Sequence, residues 1–194
     1  MIPTREEAWE WVKEYNDSDS LRKHALAVEG VMRHFAKLKN PQEEELWGVV
    51  GLLHDLDYEK YPDQHCTKVR EILGEKGVDQ DVIRAVASHG WGMCSEVEPQ
   101  SEMEKTLYTI DELTGLINAA ALMRPSRSVM DMELKSAKKK FKDKRFAAGV
   151  DREVIIQGAQ RLGMELDDVI SETIKGMQEV AEAIGLEMKA PQEG

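Results

Sequence analysis

The sequence predicts an all-α protein, a compact bundle of many short helices. Apolar residues recur every three to four positions along most of the chain, which is the spacing of amphipathic helices. No segment shows the alternation of apolar and polar residues that is typical of a half-buried strand. Glycines such as Gly74, Gly90 and Gly163 fall near the expected helix ends, where this residue is favoured.

The first two helices have clear boundaries. Thr4 and Glu7 form a capping-box pattern, which predicts that the first helix starts there. A second, amphipathic helix is expected from Ser20 to about Lys39, and the Asn40-Pro41 pair ends it.

The third helix differs from the others because it is apolar on every side. It begins near Gln42, and its residues from Leu46 to Leu53 predict burial on all faces. Six further helical patterns follow, at about 65–76, 79–89, 101–123, 130–142, 151–162 and 167–185.

Length and composition predict one domain over residues 1–194. The chain is 41% apolar and 32% charged, which excludes disordered and fibrous proteins. No apolar run approaches the roughly 18 residues that cross a bilayer, and the acidic start MIPTREEAWEW is unlike a signal peptide. Cys66 and Cys94 have no CxxC spacing, so neither a disulfide framework nor a cysteine zinc site is expected. We therefore predict a protein of the reducing cytoplasm with no membrane partner.

Four side chains that can bind metal lie on inward faces of three helices. His24 lies on the apolar stripe of the second helix, and His54 ends the third helix and is followed directly by Asp55. Asp111 lies on the apolar stripe of the helix at 101–123. Each residue alone also fits a cap or a buried hydrogen bond. Because an uncompensated buried carboxylate is costly, a metal ion among the four is the simplest solution.

The order His24, His54-Asp55, Asp111 resembles the HD-domain superfamily of metal-dependent phosphohydrolases, whose defining pattern is H, HD, D. The resemblance covers about residues 18–123, which would form the metal-binding core. A basic segment and a helical extension then occupy about 124–187. The resemblance implies one divalent ion, rather than two, held by the four residues. Imidazole and carboxylate ligands suit Mn, Fe, Co, Ni, Zn and Mg alike.

The resemblance also suggests roles for two further histidines. Some HD subfamilies bind a second metal through histidines between the HD pair and the last aspartate, and His65 and His89 are the candidates. The expected catalytic residues are Asp55, which orients the nucleophile, and His65 and His89, which handle the proton. Many relatives carry a lysine shortly after the HD pair, but this chain reads HDLDY. Lys60 or the basic segment would have to supply that charge.

Charge is distributed unevenly along the chain. The net charge of −11 predicts that long nucleic acids are not partners. The segment 124–145 is nevertheless rich in lysine and arginine, and its lysines are spaced to share one helix face. We predict that it forms a wall that binds the substrate's phosphate, although a solvated face fits equally well. The residues of this wall are Arg124, Arg127, Lys135, Lys138, Lys139 and Lys142.

The resemblance therefore implies hydrolysis of a small phosphorylated substrate, expected to be a nucleotide, by metal-activated water. Two alternatives remain open. One is an HD-domain oxygenase with two irons, and the other is a non-catalytic nucleotide-sensing or interaction module. The apolar stripe of the last helix fits a homodimer as well as packing within the chain.

Overall fold

Nine α-helices make up the computed structural model, which describes residues 1–190. Their bounds are α1 Arg5–Tyr15, α2 Asp19–Lys39, α3 Glu44–Leu53, α4 Lys68–Glu75, α5 Gln80–Ser88, α6 Glu102–Leu122, α7 Leu134–Lys142, α8 Arg152–Leu162 and α9 Leu166–Glu179. Residues 1–190 contain no strand, only an isolated bridge between Trp91 and Ser95. The all-α prediction is confirmed, whereas the predicted domain also includes residues 191–194, which lie outside the described residues. None of the described helices is long and apolar enough to cross a membrane.

The first helix starts as its sequence predicts. The Glu7 amide donates to Thr4 Oγ1 at 3.2 Å, and the Thr4 amide donates to Glu7 Oε2 at 2.8 Å. These two bonds satisfy donors that the start of a helix would otherwise leave free. The second helix starts slightly earlier than expected, because Ser18 caps it and accepts from the Leu21 amide at 3.2 Å.

The apolar helix α3 is buried, as predicted, and lies at the centre of the bundle. Its residues from Trp47 to Leu53 are all buried, and it packs against α1, α2 and α5. His54 follows at its end and has no exposed side-chain surface. Helix α6 also packs against α2, α8 packs on α6, and α9 packs against α2. This arrangement brings the end of α3 between α2 and α6.

Three helix boundaries differ from the prediction by three residues or more, and two of these differences have a clear cause. Helix α4 begins at Lys68 rather than at residue 65, because Asp57 Oδ2 accepts from the Val69 amide at 2.8 Å. Helix α7 begins at Leu134 rather than 130, because Ser128 Oγ donates to the Leu186 carbonyl at 2.7 Å and holds the preceding segment. Helix α9 ends at Glu179 rather than 185.

His34 connects two helices of the bundle. Its side chain is only 12% exposed and lies between Glu172 and Glu179, with both nitrogen–oxygen distances at 2.6 Å. The histidine therefore joins α2 to α9. The sequence could not show this, because the pairing depends on where a helix more than a hundred residues away packs.

Gly158 permits the close approach of α8 to α6, and we expect Gly158→Ala to destabilise the protein. A Cβ there would lie 2.1 Å from Thr109 Oγ1 and 2.9 Å from Thr109 Cα, so the two helices would have to separate. Overpacking of this kind costs about 1–3 kcal/mol. Thermal unfolding should show a Tm lower by about 2–4 °C per kcal/mol.

The matched control for this substitution is Gly74→Ala. A Cβ at this helical glycine meets nothing within 4 Å, so the higher helix propensity of alanine should raise stability by up to about 1 kcal/mol. An unchanged Tm for Gly158→Ala would contradict the tight α6–α8 contact.

Candidate metal centre

The four residues of the H, HD, D pattern meet in one cluster. His24 Nε2 lies 2.9 Å from Asp111 Oδ1 and 3.3 Å from His54 Nε2. His54 Nε2 lies 3.2 Å from Asp55 Oδ2 and 3.2 Å from Asp111 Oδ1. The ligand atoms of all four residues lie within 4.8 Å of one another. Helices α2 and α6 and the end of α3 thus bring together the residues that the sequence predicted as ligands.

His65 and His89 form a second group beside the first. Their Nε2 atoms lie 3.2 Å apart, at 3.4 and 3.5 Å from Asp55 Oδ1. The other oxygen of the same carboxylate, Oδ2, faces His24 and His54, at 3.6 and 3.2 Å. Asp55 therefore bridges two groups of imidazoles. His65 lies in the turn before α4 rather than opening that helix, and His89 caps the end of α5.

Hydrogen bonds to the backbone set the orientation of two buried imidazoles. His54 Nδ1 lies 2.7 Å from the Gly51 carbonyl, and His89 Nδ1 lies 2.6 Å from the Val86 carbonyl. Because a carbonyl oxygen only accepts, Nδ1 must be the nitrogen that donates in each ring. Each Nε2 is then free to present its lone pair to the cluster, which is the tautomer that binds a metal ion.

The donor set fits a divalent cation. Two neutral imidazoles cannot place the lone pairs of His24 Nε2 and His54 Nε2 at 3.3 Å without a proton or a cation between them. Two carboxylate oxygens complete the set, and a mixed imidazole and carboxylate site suits the divalent first-row transition metals. The residues present therefore match the metal that the sequence predicted, without selecting one element.

The charges within this cluster shift the pKa values of His54 and Asp111. Burial by itself lowers the pKa of His54, but the carboxylates of Asp55 and Asp111 outweigh it and hold that pKa well above its usual value. Burial raises the pKa of Asp111, but the charge of His54 and the bond from His24 outweigh it and hold that pKa far below its usual range. A cation that binds here would displace the imidazole protons.

Asp57 contacts the site but was not among the residues predicted from the sequence. It is fully buried, and its Oδ1 lies 2.7 Å from His65 Nδ1. Its Oδ2 accepts from the Val69 amide. The carboxylate therefore orients the imidazole of His65 towards Asp55 and caps α4 at the same time. The signal in the sequence was an acidic residue between Leu56 and Tyr58, two positions after the HD pair.

We expect Asp57→Asn to weaken metal binding at the His65 and His89 group by about 10–100-fold. The amide keeps the size of the side chain, but it removes the charge that holds the His65 ring. Calorimetric titration with Mn²⁺ would measure the effect. Asp63→Asn, at an exposed position nearby, is the control, and equal affinities for the two variants would contradict the role of Asp57.

A cavity of about 430 Å³ opens onto the cluster. Asp55, His65 and Asp111 line this cluster cavity, together with Tyr58 and Glu112. A volume in this range accommodates a small organic ligand. Lys60 is not in this cavity, since its Nζ donates to the Glu14 carbonyl at 2.7 Å. It therefore does not replace the lysine that many relatives carry after the HD pair.

The six residues of the predicted basic wall do not lie together at the cluster cavity. Ala137 and Phe141 are the buried residues of α7, which leaves its lysines on the outer side. They line a separate groove of about 520 Å³, which shares no lining residue with the cluster cavity. The lining residues of this lysine groove are Leu134, Lys135, Lys138, Lys139 and Lys142.

The two arginines of the predicted wall do not line the lysine groove either. Arg124 Nε lies 2.9 Å from Asp131 Oδ1, an ion pair at the surface. Arg127 lines a different cavity, which His24 also lines. Of the six residues predicted to bind phosphate, only Arg127 lies in a cavity that reaches a residue of the metal cluster.

The two cysteines lie together beside the cluster. Cys66 and Cys94 form a disulfide with a Cα–Cα distance of 5.9 Å, and Cys66 Sγ lies 3.9 Å from His89 Nε2. The lack of CxxC spacing predicted neither a disulfide framework nor a cysteine zinc site. The disulfide corrects the first of these expectations, because the fold brings together two cysteines that are 28 residues apart in the sequence. The reducing cytoplasm that the composition suggested stays a prediction.

Comparison with known proteins supports the resemblance seen in the sequence. The model of the HD domain family matches residues 21–116, a segment that includes His24, His54, Asp55 and Asp111. No curated protein and no solved structure matches the chain significantly. His65 and His89, which Asp55 also contacts, lie within the same segment. Residues 21–116 of the chain therefore form an HD domain, a member of the HD-domain superfamily.

Proposed function

We propose that this protein is a metal-dependent hydrolase of a small phosphorylated substrate, with nucleotides as the first compounds to test. The observation that carries the proposal is the bridging position of Asp55. Its two oxygens face two different imidazole pairs at the base of a cavity of about 430 Å³. Membership of the HD-domain superfamily supports metal-dependent hydrolysis as the reaction class.

The position of each residue in the cluster indicates its role in the proposed reaction. A divalent cation bound by His24, His54, Asp55 and Asp111 would acidify a water molecule and polarise a phosphoryl oxygen. Asp55 holds both imidazole groups at fixed distances, so it orients the nucleophile. His65 is 16% exposed to the cavity, and Asp57 fixes its ring. This histidine is therefore placed to transfer a proton at Nε2 to or from the substrate.

The test is phosphate release from a panel of substrates and metals. The chain would be stripped with a chelator and reloaded with Mn²⁺, Fe²⁺, Co²⁺, Ni²⁺, Zn²⁺ or Mg²⁺. Each form would then be offered nucleoside mono-, di- and triphosphates and simple phosphomonoesters. We expect release with at least one metal and none after chelation. Metal binding without turnover of any compound would overturn the proposal.

The His65 and His89 group favours one alternative, an oxygenase with two irons. The side chains there could hold a second ion that shares Asp55 with the first. Two iron atoms per chain, together with oxygen consumption in the presence of an organic substrate, would support this reading. Phosphate release with a single bound ion would exclude it as the main activity.

A further inference from the structure

A second cavity adjoins the cluster cavity on the other side of His24. Its volume is about 520 Å³, and the two cavities share Leu21, His24 and Gly115 as lining residues. The imidazole of His24 therefore separates a region next to the metal cluster from a region that contains none of the other ligands. A ligand that extends past His24 would occupy both.

The second cavity is cationic in a chain of net charge −11. Lys23, Arg127 and Lys189 line it, and among the described residues Asp19 is the only acidic one in its lining. Asp19 Oδ2 pairs with Lys23 Nζ at 2.8 Å. Within residues 1–190, no carboxylate forms an ion pair with Arg127 or Lys189. These two charges are thus available to an anion.

A buried hydroxyl in the wall of this cavity also lacks a partner. Thr114 is fully buried, and among the described residues its Oγ1 has no hydrogen-bond partner. The buried helical threonines Thr106, Thr109 and Thr173 each donate to the carbonyl four residues earlier, but Thr114 does not. An unsatisfied buried hydroxyl is costly, so it points to a ligand or water that accepts from it.

Helix α6 connects the metal cluster to this cavity. Asp111 faces the cluster, Thr114 and Gly115 lie one turn further, and Asn118 lies a second turn further in the cavity wall. At 1.5 Å per residue, Asp111 and Asn118 are about 10 Å apart along the helix axis. Polar side chains therefore extend from the reacting end of a substrate towards the cationic end.

We propose that this anion cavity, lined by Lys23, Thr114, Asn118, Arg127 and Lys189, binds a second anionic group of the substrate. The substrate class is a compact phosphomonoester that carries another phosphate or a carboxylate about 5–10 Å from the phosphate at the metal cluster, the span of one to two helical turns. The proposal rests on the proposed phosphohydrolase function. It assigns recognition of this second anionic group to Arg127 rather than to the lysine groove.

Matched aryl phosphates test this assignment. The compounds are 4-carboxyphenyl phosphate, which carries a second anion, and 4-carbamoylphenyl phosphate, which is neutral at that position. For the wild-type chain we expect a KM about tenfold or more lower for the carboxylate, the effect of one charge-assisted contact. Arg127→Ala should bring the ratio of the two KM values close to one, and Arg127→Lys should restore most of it.

The control is Arg145→Ala, an arginine of the same segment whose side chain is 96% exposed. It should keep the wild-type ratio of KM values. If Arg127→Ala also kept that ratio, or if the wild type did not distinguish the two compounds, the anion cavity would not bind the substrate.

A binding measurement separates this proposal from the hydrolase proposal. Inorganic phosphate would be titrated into the metal-stripped full chain and followed by calorimetry. We expect Arg127→Ala/Lys189→Ala to weaken binding at least tenfold, whereas Lys144→Ala/Arg145→Ala should not. Binding through Arg127 without hydrolysis of any compound would overturn only the hydrolase. If the chain hydrolysed a compound but Arg127→Ala/Lys189→Ala bound phosphate as tightly as the wild type, only the anion cavity would be overturned.

Discussion

Asp55→Asn is expected to abolish metal-dependent hydrolysis, with kcat/KM lowered about a thousandfold or more, equivalent to ~4 kcal/mol of transition-state stabilisation. Asp55 is the residue whose oxygens reach both imidazole groups, at 3.2 Å from His54 and 3.4 Å from His65. The amide removes the bridging charge while it keeps the shape of the side chain. Steady-state kinetics at saturating metal would measure the loss.

Two comparisons make this result interpretable. Asp63→Asn removes an exposed carboxylate outside the cluster and should leave kcat/KM unchanged. A melting curve of Asp55→Asn would show whether the variant is folded. A folded Asp55→Asn protein with more than a tenth of wild-type activity would contradict the assignment of the reaction to this cluster.

Addition of Mn²⁺ to the metal-stripped chain should raise Tm strongly. Two imidazoles and two carboxylates would hold the ion, and it would bind only where the helices have brought these groups within reach. At an ion concentration about a thousand times Kd, the native state gains ~4 kcal/mol. For a chain of this size we expect Tm to rise by about 8–16 °C.

His54→Ala and His34→Ala form a matched pair for this measurement. Loss of the buried His54 should eliminate most of the metal-induced shift. His34 contacts Glu172 and Glu179 between α2 and α9, so its removal should lower Tm without changing the shift caused by Mn²⁺. Equal shifts in both variants would mean that the ion binds elsewhere.

The metal cluster could be predicted from the sequence because each ligand has a local signature. His24 and Asp111 lie on apolar stripes of long helices, and His54-Asp55 ends a helix that is apolar on all sides. These faces must turn inward wherever the helices pack. The approximate helix boundaries follow from the same periodicity and from capping residues such as Thr4 and Ser101.

The cationic residues could not be placed in the same way. A row of lysines on α7 predicts a charged face, but not the neighbour that the face meets. Ala137 and Phe141 direct the opposite face of α7 into the core, and this turns the lysines away from the cluster. The anion cavity combines Lys23, Arg127 and Lys189, which lie in three distant segments. No periodicity relates such residues before the chain has folded.

The wide separation of the ligands in sequence has a kinetic consequence. His24 and Asp111 are 87 residues apart, and they meet only after α2, α3 and α6 have docked. Closure of so long a segment is slow, and the contacts that it brings together form late in folding. The ion should therefore find its ligands after the folding barrier has been crossed. Bound metal would then prolong the lifetime of the native state while the rate of folding stays nearly constant.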